Sequence, residues 1–433
     1  MFTPDPHQLT GADWLAARSH GYLADDMGLG KTATALLAFR KTRLNKLLVL
    51  CPTSVAPTWL KETQAVLPGA RCGIIEPDTA LSALDVVIAP YSIAAREAVR
   101  LIGWGADVVA GDEMHFLKTS TAQRTVAARQ ISRHAHHVWG LSGTPMPNDP
   151  TELWSQLVIC APAALGSPAL TETAWAHTYC AGYPTKFGFK PTALKNLERF
   201  RAEVLPHFLR RTLADVQITL PDRITRLLPV HAPEAPPPGS RAARQQAALP
   251  AVPTLSNVAA AMAGVGFTGA AAESAARIWG TRKATLVAPH IAHLLANNSV
   301  DKVVVGAKHH DALDVLQAQL APFGLVRVDG RCSIQQRSRA VEAFQTRPDC
   351  RVFLGQIDAC AEGITLTAAA TCFQVELADR ASTNLQFAKR LHRRGQTRKV
   401  LHYLVTMDEG PDAAAMKNWQ IKLAMMQAAQ LSD

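Results

Sequence analysis

Apolar residues along this chain gather in short runs rich in valine, leucine and isoleucine, separated by longer stretches where alanine and leucine recur at helical spacing. In the first third the runs are GYLA at 21–24, KLLVLC at 46–51, DVVIA at 85–89, DVVAGD at 107–112 and HVWGLS at 137–142. Strands buried on both faces read as unbroken apolar runs, and helical stretches between them supply crossover connections, so this rhythm predicts a parallel sheet covered by helices. A second set closes the chain: KVVVGA at 302–307, LVRVDG at 325–330, CRVFLGQ at 350–356, CFQVEL at 372–377 and KVLHYLV at 399–405. The expected fold class is α/β, with two parallel-sheet domains in tandem and helical insertions between them.

Residues 151–226 read as mainly helical and basic; within 186–226 nine Lys or Arg stand against four Asp or Glu. Such a stretch suits a DNA-facing appendage and equally a solvated helical face. Residues 231–255, HAPEAPPPGSRAARQQAALPAVPTL, crowd proline with alanine and predict a linker or hinge, while 256–275 leave helix and mobile chain both open. The expected divisions are 1–150, a basic helical and bridging segment at 151–230, a linker with a helical part at 231–285, and 286–433.

Composition narrows the class. With 48% apolar and 18% charged residues, the chain buries cores rather than remaining disordered. Its 45 Lys and Arg exceed 35 Asp and Glu, a net +10 that suits a polyanionic partner without naming one. The eight cysteines form no CxxC pair, which argues against a zinc module or a disulfide framework and for a reducing compartment. The start, MFTPDPHQLTGADW, lacks a basic segment followed by an apolar run, and no apolar stretch reaches membrane-spanning length. A protein neither secreted nor inserted in a membrane is expected, placed in a bacterial or virus-infected cytoplasm or in a eukaryotic nucleus.

The chemistry begins after the first strand. Asp25-Asp26-Met27-Gly28-Leu29-Gly30-Lys31-Thr32 leads into a helical pattern. A loop ending in Gly-Lys-Thr before a helix offers backbone N–H groups and the helix dipole to phosphates; Lys31 can neutralise β/γ charge and Thr32 can hold Mg²⁺. Asp25 takes the place of the first glycine of the strict GxxxxGK[ST] pattern, so a Gly-rich strand-to-helix turn is the bland alternative. Asp112-Glu113-Met114-His115 ends another apolar strand. Carboxylates at the carboxyl edge of a parallel strand can hold the Mg²⁺ shell and polarise an attacking water, roles assigned to Asp112 and Glu113. His115 is a candidate coupling residue, and the hydroxyls of Ser142-Gly143-Thr144 could sense the γ-phosphate. Between 380 and 399 seven Lys or Arg meet no acid, and Arg390 and Arg393 lie three apart, on neighbouring turns if that stretch is helical. Such arginines suit charge stabilisation of a transferring phosphoryl group, or a basic surface that meets DNA or solvent.

Taken in order, these segments resemble the Swi/Snf-type DNA-dependent ATPases of helicase superfamily two. DDMGLGKT is similar to motif I, CPTSVAPTWLKE to Ia, DEMH to II and LSGTP to III. Leu209-Arg210-Arg211-Thr212, with Asp215-Val216 and Leu220-Pro221, resembles the bridge between the family's two lobes. Val328-Asp329-Gly330 follows, then Ala361-Glu362-Gly363-Ile364-Thr365-Leu366-Thr367-Ala368 for motif V and the run from Gln386 to Thr397 for motif VI.

The resemblance implies two RecA-like lobes that share one ATP and Mg²⁺. Gln8, Gly28, Leu29, Gly30, Lys31, Thr32, Gly363, Arg390 and Arg393 would contact nucleotide; His115, Ser142, Thr144 and Gln386 would couple the motifs. It also implies sequence-neutral gripping of double-stranded DNA through Pro52, Thr53, Lys118, Thr365 and Thr367. Trp59 and Tyr91 are further candidates there, although packing is the commoner role for such residues. The action implied is translocation or remodelling, with EGITLTAA and HYLV resembling the annealing-helicase branch, and a protein partner for targeting. Departures from the pattern are His7 before Gln8, Met114 in DEMH, few glycines in motif V, and Lys389 where an acid is common. An RNA or single-strand helicase and a non-catalytic DNA-binding scaffold are the competing readings. A metal site at His134, His136 and His137 is a weaker one.

Overall fold

The computed structural model describes residues 2–146, 150–167, 170–185, 188–231, 269–360, 363–378 and 381–407, together with Asp412, Met416 and Gln420. The expected linker from 232 onward, residues 256–268, and Ala361 and Glu362 of motif V lie outside the described residues. The chain forms two units, whose described residues are 2–219 and 220–420.

In the first unit the strands are β1 (His20–Leu23), β2 (Leu47–Cys51), β3 (Cys72–Ile74), β4 (Val86–Pro90), β5 (Val108–Asp112), β6 (His137–Leu141), β7 (Cys180–Thr185), β8 (Gly188–Leu194) and β9 (Phe208–Leu209). Seven of them make one sheet in the order β3-β4-β2-β5-β6-β1-β9. Every pairing in it is parallel. Helices 6–16, 31–42 and 56–66 cover one face and bury Leu15, Leu36, Val49, Ile88, Val108 and Trp139 in a common core. The chain leaves β1 and crosses beyond β6 and β5 to begin β2, so the loop after β1 opens at a change of strand order. Such a point leaves room at the carboxyl edge for a ligand.

The stretch 151–226, expected to be mainly helical, carries helices at 151–160, 172–179 and 197–203, but also the antiparallel ribbon β7–β8. Here the helical spacing gives way to CAGYPT and GFKPTAL. Pro184 and Pro191 are tolerated because a two-stranded ribbon consists only of edges. Its base is anchored by Trp175, Tyr179 and Phe200, with ring centroids 4.5 Å apart for Trp175–Tyr179 and 5.6 Å for Tyr179–Phe200.

The second unit contains β10 (Arg223–Pro229), β11 (Val303–Ala307), β12 (Leu325–Val328), β13 (Val352–Gln356), β14 (Thr371–Gln374) and β15 (Val400–Thr406), in the order β10-β15-β14-β11-β13-β12. All these pairings are parallel. Its strands serve two cores at once. Val303, Val305, Val352 and Leu354 join Val287, Ile291 and Leu316 on one face, while Val304 and Phe353 join Phe344, Leu366 and Phe387 on the other. Burial on both sides explains why these strands read as continuous apolar runs. Each of the ten runs picked out in the sequence is a strand of one of the two sheets. Among the described residues no helix is long and apolar enough to cross a membrane.

Candidate nucleotide site

Three loops meet at the carboxyl edge of the first sheet. After β1, the backbone turns left-handed at Gly28 (φ 91°) and Gly30 (φ 74°) before the helix that starts at Lys31. Glycine suits both turns because a side chain would be strained there. At Gly30 a Cβ would also stand 2.2 Å from Gln8 Nε2. The Lys31 ammonium donates to the carbonyl oxygens of Asp25 (2.9 Å) and Asp26 (3.3 Å), closing the loop over its own backbone. Thr32 occupies the first helical turn, half-buried. Gln8 Oε1 accepts from Asp5 N at 2.9 Å, while Gln8 Nε2 donates to Leu29 O at 3.5 Å, so this amide braces the loop from beneath. His7 Nε2 stands 2.9 Å from the same carbonyl.

Asp25, in place of a glycine, is wholly buried. Its carboxylate accepts from Arg211 Nε at 2.9 Å and from Arg211 Nη2. The same guanidinium reaches the carbonyl of His7 and the hydroxyl of Thr10. In the sequence Arg211 belongs to the bridging segment, and nothing in local spacing links it to a residue 186 positions earlier.

At the end of β5, Asp112 is buried and bound on every side. Trp59 Nε1 donates to its Oδ2 at 2.7 Å and Glu113 N to its Oδ1 at 2.9 Å, while Tyr91 Oη donates to its backbone carbonyl at 2.6 Å. Burial, and then the neighbouring Glu113, push the Asp112 carboxyl up to about 7, against the pull of Trp59 and Lys31. A divalent cation would relieve that stress, so the Asp112 carboxylate suits a magnesium ligand. Trp59 and Tyr91 thus serve as positioning residues for Asp112. Trp59 is fully buried and has no face to offer a base.

Glu113 adopts a left-handed backbone (φ 48°, ψ 53°), unusual for a non-glycine residue. This turn sends its side chain toward the loop after β6. Ser142 Oγ donates to Glu113 Oε2 at 3.3 Å, and His115 Nδ1 stands 3.3 Å from that carboxylate and 3.1 Å from Ser142 Oγ. Thr144 N donates to Ser142 Oγ at 3.1 Å. The structure therefore joins His115, Ser142 and Thr144 to Glu113 in one network. Gly143 was not singled out as a site residue, yet a Cβ there would stand 3.3 Å from Lys31 Nζ, so its bareness leaves the ammonium its place.

Of the residues expected at DNA in this unit, Thr53 is exposed just beyond β2 and Pro52 is buried beside it, accepting from Val55 N at 3.0 Å. Lys118 pairs with the buried Glu152 instead of pointing into solvent. The three histidines do not converge as metal ligands: His137 Nδ1 stands 2.8 Å from Arg18 O and His136 Nδ1 3.7 Å from Asp107.

In the second unit Arg390 and Arg393 come together, though not on a helix. The helix 381–388 stops at Ala388, and turns with Gly395 at φ 97° follow. The two arginines thus stand in an irregular segment and not on successive turns of one helix. Its arginines converge on one acceptor, the Ile364 carbonyl, with Arg390 Nη1 at 3.4 Å and Arg393 Nη1 at 3.0 Å. Arg390 Nε also donates to the carbonyl of the buried Gln386 at 3.1 Å, and Leu366 N donates to Arg390 O at 2.9 Å. Gly363 supplies the left-handed turn (φ 72°) that opens this loop. Thr365 is half-buried, and Thr367 Oγ1 accepts from Gln345 Nε2 at 3.2 Å. Behind the arginines Asn384, Gln374 and His402 form a buried chain, with His402 Nε2 3.1 Å from Gln374 Oε1. Burial, reinforced by Arg223, lowers His402 to about 3.

Residues 7–234 match the SNF2-related domain and residues 287–395 the helicase conserved C-terminal domain. A Caenorhabditis elegans protein described as a SWI/SNF-related matrix-associated actin-dependent regulator of chromatin subfamily A-like protein 1 homolog is 28% identical over 429 residues, covering 94% of this chain and 59% of that one. Human DNA annealing helicase and endonuclease ZRANB3 is 28% identical over 404 residues, covering 88% and 36%. This chain therefore spans only part of the length of these relatives. A Sulfolobus solfataricus SWI2/SNF2 ATPase core in complex with dsDNA superposes with a TM-score of 0.47 at 21% identity, covering 99% of this chain and 97% of that one.

Proposed function

The chain belongs to the SNF2-related family, and from that premise we propose that it is an ATP-driven motor on double-stranded DNA, acting as a translocase or remodeller with strand annealing as its favoured outcome. The observation that carries this reading is the network at the first sheet edge. Lys31, Asp112 and Glu113 are held by Gly143, Trp59, Ser142 and His115 where a phosphate chain would lie. Annealing is favoured because motif V and the tail resemble that branch, and because a relative carries annealing helicase in its name.

In this reading Gly28, Leu29 and Gly30 offer backbone N–H groups to the phosphates and Lys31 exchanges its carbonyl partners for phosphate oxygens. Thr32 and Asp112 would hold magnesium, which when bound neutralises phosphate charge. Glu113 orients the attacking water and accepts its proton, with Ser142 and His115 fixing the carboxylate. Arg390 and Arg393 release the Ile364 carbonyl for the more negative phosphoryl group and stabilise its developing charge. Duplex DNA held through Thr53, Thr365 and Thr367 makes turnover conditional on those arginines reaching nucleotide. Gln386 and Thr144 transmit that state within their units, and a separate protein supplies targeting.

The test compares ATP turnover with no nucleic acid, duplex DNA, single-stranded DNA and RNA, followed by displacement of a triplex strand. Duplex stimulation with triplex displacement is expected. Stimulation by RNA or single strands alone would favour the helicase alternative, and absence of turnover the scaffold.

A further inference from the structure

The pairing of Asp25 with Arg211 places a charge where phosphate loops ordinarily carry glycine. A buried carboxylate under an anion site repels the anion unless it is neutralised. Arg211 supplies that neutralisation through its fork, with Nε at 2.9 Å and Nη2 both on the carboxylate. The ion pair is deeply placed, with Asp25 fully buried and the Arg211 side chain only 14% exposed. Stability alone does not explain it, because apolar residues of similar volume commonly do as well as a buried pair.

Backbone bonds run alongside. Ala24 N donates to Leu209 O at 2.7 Å and Asp26 N to Arg211 O at 2.9 Å, while Arg210 Nη1 donates to Ala24 O at 3.1 Å. Residues 24–26 of the loop are therefore laddered to 209–211 as a continuation of the β1–β9 pairing. Arg211 also binds the His7 carbonyl and the Thr10 hydroxyl, so one guanidinium joins the loop to the helix 6–16 that carries Gln8. Room for it comes from Gly11, where a Cβ would stand 2.6 Å from Arg211 Nη2 and 2.8 Å from Thr34 Cγ2. Eight residues after Arg211 the first unit ends and the chain enters the second.

We propose that Arg211 is a positioning residue that neutralises Asp25 beneath the phosphate loop and ties that loop to the segment leaving the first unit, so that nucleotide affinity and the state of 212–219 depend on each other. This rests on the loop being the nucleotide site.

The test uses the full chain, with a fluorescent ATP analogue and Mg²⁺ for affinity, thermal unfolding for integrity, and hydrogen exchange of 208–219 with and without nucleotide. Arg211→Met is expected to bind about tenfold more weakly, in the range seen for coupled buried neighbours. Asp25→Asn combined with Arg211→Met restores affinity to within about threefold, because the repelling carboxylate is gone, yet leaves exchange at 208–219 insensitive to nucleotide. Gly11→Ala displaces the guanidinium without removing charge in a helix that tolerates alanine better than glycine. It lowers the unfolding temperature but stays folded at the temperature of the titration, where it binds nucleotide more weakly and leaves exchange at 208–219 insensitive to nucleotide, which a merely structural staple would not do, and it decides the matter should Arg211→Met fail to fold. Folded Gly11→Ala or Arg211→Met with wild-type affinity, or exchange at 208–219 unmoved by nucleotide in the wild type, would overturn the proposal. A wild type that binds no nucleotide overturns the reading of the site itself.

Discussion

The two units restrain their charged groups by different means. At the first sheet edge side chains hold side chains: Trp59 fixes Asp112, Ser142 and His115 fix Glu113, and Arg211 fixes Asp25. In the second, the Ile364 carbonyl is a shared acceptor for Arg390 and Arg393, and the Gln386 carbonyl a further one for Arg390. A network of side chains sets direction and protonation in advance, whereas a guanidinium on a carbonyl exchanges it readily for an anion, since charge-assisted bonds are about twice as strong as neutral ones.

That contrast can be broken most sharply at the arginines. Arg390→Ala is expected to lower DNA-stimulated ATP turnover by about 10³-fold while changing nucleotide affinity little. Equal losses in turnover and affinity, measured by single-turnover kinetics and titration, would put the arginine among the binding groups. Glu113→Gln is expected to slow hydrolysis by about 10²-fold with nucleotide still bound, the loss of a positioned base. Trp59→Phe removes the indole donor to Asp112 and keeps the packing; it should raise the magnesium concentration needed for half-maximal turnover by about tenfold. A metal dependence identical to wild type would remove Trp59 from the site.

The smallest effect lies in stability, and there the two units should oppose each other. Asp112 holds its proton more firmly when folded, up to about 7 against an ordinary 3.8, so its contribution is greatest in acid and is lost as pH rises from 3.8 to about 7. His402 is held at about 3 against an ordinary 6.5, so its contribution is complete above 6.5 and is lost as pH falls toward 3. Between pH 7 and 5, Asp112→Asn should flatten a gain and His402→Gln a loss, each by about 3 °C in unfolding temperature. Shifts of the same sign in both variants would remove this distinction.

The sheets were legible because most of their strands are apolar through the middle and serve cores on both faces, as β11 and β13 do, while β12 and β15 keep their pattern around one interruption each, Arg327 and His402. β10 escaped notice because RITRLLP lies at an edge with Leu227 58% exposed, and β9 is too short to carry any period. That Lys31, Asp112 and Glu113 would stand at or just beyond strand ends was legible from local sequence. What held them was not: Trp59 lies 53 residues from Asp112, and its aromatic side chain signals packing whichever way its N–H points. Charge and spacing single out the arginines but leave their backbone open: the helix stops at Ala388 and irregular turns follow, which nothing in QFAKRLHRRGQT signals before Gly395.

Asp25 has one more consequence, for anyone wishing to transplant this loop. A phosphate loop built on glycine travels as a self-contained cassette of a dozen residues, roughly the span of the GxxxxGK[ST] pattern with its flanks. This one is keyed by a carboxylate whose lock, Arg211, lies two residues beyond β9 and whose clearance depends on Gly11. A graft of residues 24–32 alone would import an orphaned negative charge into its new host. Only a chimera that also carries residues 5–11 and 208–212 brings the lock along with the key.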